Sequence, residues 1–429
     1  MKVATALILF LLCETCLGQQ QLSREQPCPP GKHMEGDYDR VYACVPDSET
    51  AKPERIPDPS TPHRTNSVQA ANWESKFDFD DELYPSFVLA MSGRRLKAPS
   101  ALHYIGDPLG VAEVVIRPVV PNANVHVEIQ IEGLADKSVL DVTLPEAGQQ
   151  YRIAPQLLWN YSRLAKIDQS IPATVIYRVS INGSERQETK PIRVRSVNDV
   201  PYAIAAPDGK LQDMSFLFAA YVNESHPEVQ RILQEALRYR AVNSFGGYQR
   251  GPDDVRMQVF ALWNALQRRN VHYSNITTAS ASSPTGHVQS QAVRFIDQSI
   301  QSQQANCVDG SVLFASLLYK IGVDPILVLK PGHMFIGYYL DPGHRQLEFL
   351  ETTQLGAGHQ PTITRNLAFS SLLHPVQSSE SWQQFAGALR YATNAFNQEV
   401  RPALQQHRPQ YQIIDIRMAR QAGVNAIPH

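Results

Sequence analysis

Three residue types that together perform nucleophilic acyl transfer occur in order in the last third of the chain: Cys307, His333 and Glu351. In such a set a thiolate attacks an acyl carbon, an imidazole accepts and returns the proton, and a carboxylate orients the imidazole. Each residue alone has a simpler explanation, as a buried thiol, a turn histidine or a solvated carboxylate. Their coincidence in suitable elements predicts a catalytic arrangement.

The segments around these residues predict the elements that would position them. "NCVDGSVLFASLLYKIG" has apolar residues at helical spacing and predicts a helix that begins at Cys307 and ends at Gly322. Backbone N–H groups at a helix start favour a thiolate. "DPILVLKPGHMFIGYYLD" predicts two strands joined by a Pro-Gly turn, and His333 opens the second of them. A third strand follows, with Glu351 near its end.

The N-terminal residues have the pattern of an exported protein. Residues 1–18 contain a lysine, an apolar run and a small-residue stop, which is typical of a signal peptide cleaved before Gln19. The apolar run is too short to span a bilayer, so we predict a periplasmic or extracellular protein with no membrane span. In an oxidising compartment Cys28 and Cys44 would form a disulfide within a short segment over residues 19–45, which leaves Cys307 unpaired.

Three further regions are distinguished by composition and periodicity. Residues 46–75 are rich in Pro and Ser and predict a flexible linker. Residues 76–200 alternate apolar and polar side chains between turn signals, which predicts a β-sandwich domain. Residues 201–429 carry helical stripes, the strands around His333 and a helical C-terminal extension, and predict a cysteine domain. One of the predicted helices is "SQAVRFIDQSIQ", residues 290–301. The predicted fold class is α+β, with helices of the second domain packed on an antiparallel sheet.

Composition argues against several classes of partner. The formal net charge is −2 over 429 residues, which does not favour nucleic acid or an anionic membrane surface. No pair of histidines has metal-ligand spacing, so neither a metal nor a cofactor is predicted. The predicted partner is a protein or peptide substrate, and the oligomeric state is not predicted.

The segment "NCVDGSVLFASLLYKIGVDPILVLKPGHMFIGYYLD…FLETT" resembles the transglutaminase-like core of the papain-like cysteine superfamily. In that family the nucleophilic cysteine opens a helix, a glycine ends it, a histidine lies on the next sheet, and an acidic residue precedes a threonine by two positions. The corresponding residues here are Cys307, Gly322, His333, Glu351 and Thr353. The resemblance covers residues 225–360 and includes "VHYSN" upstream of the cysteine. It departs from the family where aspartate is usual at Glu351 and tryptophan at Phe335.

The resemblance implies an enzyme whose oxyanion hole uses the backbone N–H of Cys307 and a side-chain donor. Papain-like enzymes carry a glutamine six residues before the cysteine, which corresponds to Gln301, and Gln303 and Gln304 are alternatives. Three functions remain open. The first is a Cys-His-Glu acyltransferase or amidohydrolase acting on protein glutamine side chains or peptide amides, with an amine or water as acceptor. The others are an inactive transglutaminase-like binding protein and a papain-like cysteine peptidase.

Overall fold

The computed structural model describes residues 32–35, 43–46, 72–94, 103–206, 209–274, 286–356 and 379–429. The predicted signal peptide, the partner Cys28 of the predicted disulfide and nearly all of the predicted linker lie outside the described residues. The chain divides into two compact units between Gln69 and Ala70. In the first unit, strands β1 (Lys32–Glu35) and β2 (Ala43–Pro46) pair antiparallel.

The second unit begins with two sheets. One has the order β3-β6-β9-β5 and is built from β3 (Trp73–Phe77), β5 (Tyr104–Gly106), β6 (Ala112–Ile116) and β9 (Tyr151–Ala154). The other has the order β10-β8-β7-β11-β12-β4 and is built from β4 (Glu82–Leu83), β7 (Ala123–Ile131), β8 (Ala135–Leu144), β10 (Leu158–Trp159), β11 (Ile171–Ile181) and β12 (Ser184–Val194). Short helical segments accompany them: a left-handed turn (Asp78–Asp81), α1 (Pro85–Met91) and α2 (Tyr161–Leu164).

The strands follow the alternation predicted from the sequence. In β7, Val127 and Ile129 are completely buried in the core that the two sheets share. The turn between β11 and β12 is Asn182-Gly183, with φ of 50° and 85°. Both residues are therefore left-handed, the conformation that favours Asn-Gly in a tight hairpin.

A region rich in helices follows. It contains β13 (Asp199–Ala205), β14 (Leu211–Asp213), a 3₁₀ helix (Ser215–Tyr221), α3 (Pro227–Arg238), α4 (Pro252–Arg268), β16 (Val288–Ala292) and α5 (Ile296–Ser302). The predicted stripes of α3 and α4 are buried, for example at Ile232 and Val259. The predicted boundary between the β-sandwich domain and the cysteine domain falls at residue 200, within strand β13. This division of the chain stays a prediction. The helix predicted from "SQAVRFIDQSIQ" is wrong in its first part, because β16 pairs antiparallel with β13.

The last sheet carries the histidine strand. Its order is β20-β19-β18-β21, and its strands are β18 (Pro325–Lys330), β19 (His333–Tyr339), β20 (Leu347–Leu350) and β21 (Gln412–Asp415). The other elements of this region are β15 (His272–Tyr273), β17 (Gln304–Ala305), α6 (Cys307–Lys320), a 3₁₀ turn (Thr352–Gln354), α7 (Glu380–Ala395), a π turn (Phe396–Val400), α8 (Arg401–Gln405) and α9 (Ile416–Gln421).

Both faces of this sheet are covered. Along β19, Met334 and Ile336 belong to the large core that includes α6, whereas Phe335 packs with Phe349 and Phe396 in a smaller core. The chain is therefore a mixed fold of helices and mainly antiparallel sheets, compatible with the predicted α+β class. Among the described residues, no helix has the length and apolar character needed to cross a bilayer.

Candidate active site

The start of helix α6 is fixed by its own side chains. The Asn306 side chain accepts hydrogen bonds from the backbone N–H groups of Val308 and Asp309, both at 2.8 Å. In return, the Asp309 carboxylate accepts the backbone N–H of Asn306 at 3.0 Å. This reciprocal capping box makes Cys307 the first residue of the helix, as the sequence predicted.

Asp309 is completely buried and is anchored from outside the helix. Its Oδ1 accepts the backbone N–H of Arg294 at 2.8 Å, and its Oδ2 lies 2.9 Å from the Arg294 guanidinium. Burial raises the pKa of Asp309, and the hydrogen bonds from Asn306 and Arg294 oppose this rise. Asp309 therefore holds the helix start in place.

One backbone donor of the first turn is spared by this cap. The N–H groups of Val308 and Asp309 are bonded to the Asn306 side chain, and that of Gly310 is bonded to the Asn306 carbonyl at 2.9 Å. Within the described part of the chain, no hydrogen-bond acceptor is recorded for the Cys307 N–H. This N–H is the one expected to contribute to an oxyanion hole, and the cap leaves it available.

His333 opens β19 and lies against a rigidly held carboxylate. Its Nε2 is 2.8 Å from Oε2 of Glu351, which is 1% exposed. The other carboxylate oxygen accepts both the backbone N–H of Thr353, at 3.1 Å, and its hydroxyl, at 2.7 Å. Glu351 thereby caps the 3₁₀ turn that follows it and orients the imidazole at the same time.

The thiol of Cys307 is the third member of the site and interacts with His333. Burial by itself would lower the pKa of His333, but hydrogen bonds with Cys307 and Glu351 outweigh it and raise the pKa to about 9. The imidazole is therefore protonated at neutral pH. Because Nε2 is engaged by Glu351, Nδ1 is the ring nitrogen left to exchange a proton with the thiol. The structure thus brings Cys307, His333 and Glu351 together.

The three glutamines proposed as oxyanion donors have different surroundings. Gln301 is exposed in the last turn of α5. Gln303 has a left-handed backbone with φ of 53°, and its amide donates to the Arg269 carbonyl at 3.0 Å. Gln304 lies in β17 and is half-buried. The amide of Gln303 is therefore engaged away from the thiol, and the roles of Gln301 and Gln304 stay predictions.

The strand just before the cysteine, β17, brings Tyr273 close to the start of α6, and no role was predicted for this residue from the sequence. β15 pairs in parallel with β17, so that Tyr273 lies beside Ala305. Tyr273 is 41% exposed and is a polar aromatic group near the helix start. "VHYSN" carried part of the family resemblance, but a two-residue parallel bridge has no local signature that would place its tyrosine here.

A small cavity lies beneath the first turn of α6. Its volume is about 10 Å³, and its lining includes Tyr273, Ala305, Gly310, Leu313 and Thr352. This is the space of roughly one water molecule, so the cavity does not accommodate a substrate side chain. Within the described ranges, no group of three His, Cys, Asp or Glu residues is arranged to hold a metal ion.

Comparison with protein-family models found no match, and no curated protein sequence matches the chain. The resemblance to the transglutaminase-like core therefore depends on the residues of this chain and on the contacts just described. The family assignment remains a prediction.

Proposed function

We propose that the chain is an exported cysteine enzyme in which a β-sandwich precedes a transglutaminase-like core. The observation that carries the proposal is the imidazole of His333, which joins a thiol at a helix start to a buried carboxylate. Each of the three groups is held by a separate element, namely α6, β19 and the turn after β20. Such a meeting of nucleophile, base and orienting acid is the geometric criterion for covalent acyl transfer.

In the first half-reaction, the Cys307 sulfur attacks the carbonyl carbon of a glutamine side-chain amide or a peptide amide. The negative charge that develops on the carbonyl oxygen is stabilised by the Cys307 N–H. The carbon–nitrogen bond then breaks, and His333 gives its proton to the departing nitrogen, which leaves as ammonia or an amine. The product on the enzyme is a thioester.

In the second half-reaction, an amine or water attacks the thioester carbon and gives a proton to His333. The carbon–sulfur bond breaks, and the thiolate and imidazolium are restored. Glu351 stabilises the imidazolium and keeps Nε2 engaged, so that Nδ1 is the nitrogen left to exchange a proton with the sulfur. An amine acceptor gives a cross-linked or aminated product, and water gives deamidation or hydrolysis.

The first test is the pH dependence of Cys307 alkylation by iodoacetamide in the folded protein. We expect rapid alkylation at pH 6 that is lost in His333→Ala, because an ordinary thiol with pKa ~8.5 is almost fully protonated there. Cys307→Ala provides the blank. Equal, slow alkylation of the native protein and His333→Ala at pH 6 would contradict an activated nucleophile.

The second test distinguishes the acceptors. A glutamine-containing peptide is incubated with a fluorescent primary amine, and amine incorporation, ammonia release and peptide cleavage are measured together. We expect at least one of these products with the native chain and none with Cys307→Ala. Any such activity that persists in Cys307→Ala would contradict the proposed mechanism.

A further inference from the structure

The acid-bearing turn and the cysteine helix come from separate parts of the chain and touch at a glycine. A Cβ added to Gly310 would lie 2.9 Å from Oγ1 of Thr352 and 3.1 Å from its Cβ. Ala305 would be more distant, at 3.9 Å. Contacts below 3.0 Å require a neighbour to move, so a side chain at position 310 is incompatible with the present position of Thr352.

Thr352 has little freedom to move away. It is buried in the 3₁₀ turn, its carbonyl accepts the N–H of Leu355 at 3.1 Å, and its hydroxyl lies 3.5 Å from that of Ser311. Rotating its side chain would relocate Oγ1 but would leave the 3.1 Å contact to Cβ. Relief therefore requires the backbone of the turn to shift.

A shift of the turn reaches the reacting groups directly. Thr352 is bonded to Glu351, whose Oε2 lies 2.8 Å from His333, and His333 in turn bonds to Cys307. Ser311 joins the same contact from the helix side, because its hydroxyl donates to the Cys307 carbonyl at 2.7 Å. We propose that Gly310 is a positioning residue: its missing side chain lets the Glu351–Thr353 turn dock close enough to hold His333 on Cys307. This inference rests on the proposed function.

Helix propensity alone would favour alanine over glycine at position 310. Replacing a helical glycine by alanine normally stabilises a helix. A glycine in the first turn of α6 is thus disfavoured locally, and the contact with Thr352 supplies a reason for it. Gly387 is a matched control, because it lies in α7 and, among the described residues, its added Cβ would meet only the Gln354 side chain, at 3.8 Å.

The experiment compares Gly310→Ala, Thr352→Ala, the double variant and Gly387→Ala by iodoacetamide alkylation from pH 5 to 9 and by thermal unfolding. We expect Gly310→Ala to alkylate about tenfold more slowly at pH 6, since sub-ångström misplacement of catalytic groups costs rates of this order. Gly387→Ala should keep a nearly native rate, and Thr352→Ala alone is the reference for the double variant. The double variant should recover part of the loss, because it lacks the Oγ1 atom of the 2.9 Å contact but keeps the Cβ at 3.1 Å.

Native alkylation in Gly310→Ala would overturn the inference, and so would a double variant no faster than Gly310→Ala. Should Gly310→Ala fail to fold while the double variant folds and alkylates rapidly, the steric docking would be supported. These outcomes are distinguishable from failure of the proposed function. That failure would appear in the native protein itself, as slow alkylation at pH 6 that does not depend on His333, and it would overturn this inference as well.

Discussion

The hairpin of β18 and β19 carries a histidine–carboxylate pair at each end. At the turn end, Nε2 of His333 lies 2.8 Å from Glu351, and at the opposite end, Nε2 of His344 lies 2.8 Å from Asp324. The two imidazoles are also equally accessible, with 23% and 24% of their side chains exposed. Neither the distance nor the exposure distinguishes the two pairs.

The neighbours of the two pairs do differ. The ring of His344 stacks on Tyr339 at a centroid distance of 3.8 Å, and Arg417 lies 3.5 Å from Oδ2 of Asp324. His333 instead hydrogen-bonds to the thiol of Cys307. A histidine–carboxylate pair is common in folded proteins, where it stabilises turns as well as supporting catalysis. The candidate catalytic pair is the one that also interacts with a nucleophile.

The largest expected effect compares the two imidazoles directly. His333→Ala should lower the rate constant of Cys307 alkylation at pH 6 by about 10²-fold, because the thiolate loses the imidazolium that stabilises it. His344→Ala should leave that rate within about twofold of native. The measurement is the second-order rate constant with iodoacetamide. A similar loss in both variants would show that the hairpin as a whole, and not the thiol contact, determines reactivity.

The carboxylates provide the next comparison. Glu351→Gln preserves an oxygen for Thr353 but directs an amide at Nε2 of His333, so that the imidazolium is no longer stabilised. We expect alkylation at pH 6 to fall about tenfold, equivalent to about one pKa unit of lost stabilisation. Asp324→Asn should not change alkylation.

The same comparison is checked by NMR titration of the imidazole ring of His333. Its midpoint should decrease in Glu351→Gln and stay near 9 in Asp324→Asn. An unchanged midpoint in Glu351→Gln would contradict the role assigned to the carboxylate.

Local pattern was sufficient to predict the elements that carry the three site residues. Helix α6 has an apolar stripe, begins after an asparagine cap and is followed by Gly322, whose φ is 78°. The β18–β19 hairpin has a Pro-Gly turn, so His333 was placed at the start of its strand from sequence. All of these signals lie within a few residues of the element that they define.

Elements that depend on distant partners were missed or mistaken. Strand β21 was not predicted, and it is specified by pairing with β18, for example Asp415 opposite Ile326. Residues 290–292 of β16 were predicted as helical because the partner strand, β13, lies far away in sequence. The contact of Gly310 with Thr352 could not be predicted either, because the two residues are distant in sequence. Close packing between two such segments leaves no periodic signal in the sequence of either.

A smaller effect is expected from the residue that holds the carboxylate. The Thr353 hydroxyl donates to Glu351 at 2.7 Å, and Thr353→Val removes this bond but keeps the backbone N–H. We expect alkylation at pH 6 to fall a few-fold and the free energy of unfolding to fall by about 1–2 kcal/mol. The control is Thr143→Val, whose exposed hydroxyl donates to the neutral Asn124 at 3.0 Å. Equal effects in the two variants would contradict a special role for Thr353.

The smallest expected effect is a difference between His333 and a third histidine, His226, in how each changes the stability of the fold with pH. Nδ1 of the buried His226 accepts the N–H of Glu228 at 3.1 Å and caps α3, which requires a neutral ring. Burial lowers the pKa of His226, so the fold should lose stability as the pH falls below ~6.5. His333 acts in reverse: its pKa is raised to about 9, so its contribution is present below pH ~6.5 and is lost as the pH rises through 9.

Urea unfolding between pH 5 and 10 separates these two histidines. His226→Asn keeps a capping oxygen and should remove most of the acid-side loss without changing the alkaline side. His333→Ala should flatten the alkaline side without changing the acid side. If His226→Asn leaves the acid-side slope unchanged, the loss arises from other groups that bind protons on unfolding, and the neutral cap is not its cause. A changed acid side in His333→Ala would instead mean that the imidazole is not held protonated by Glu351 and Cys307 at neutral pH.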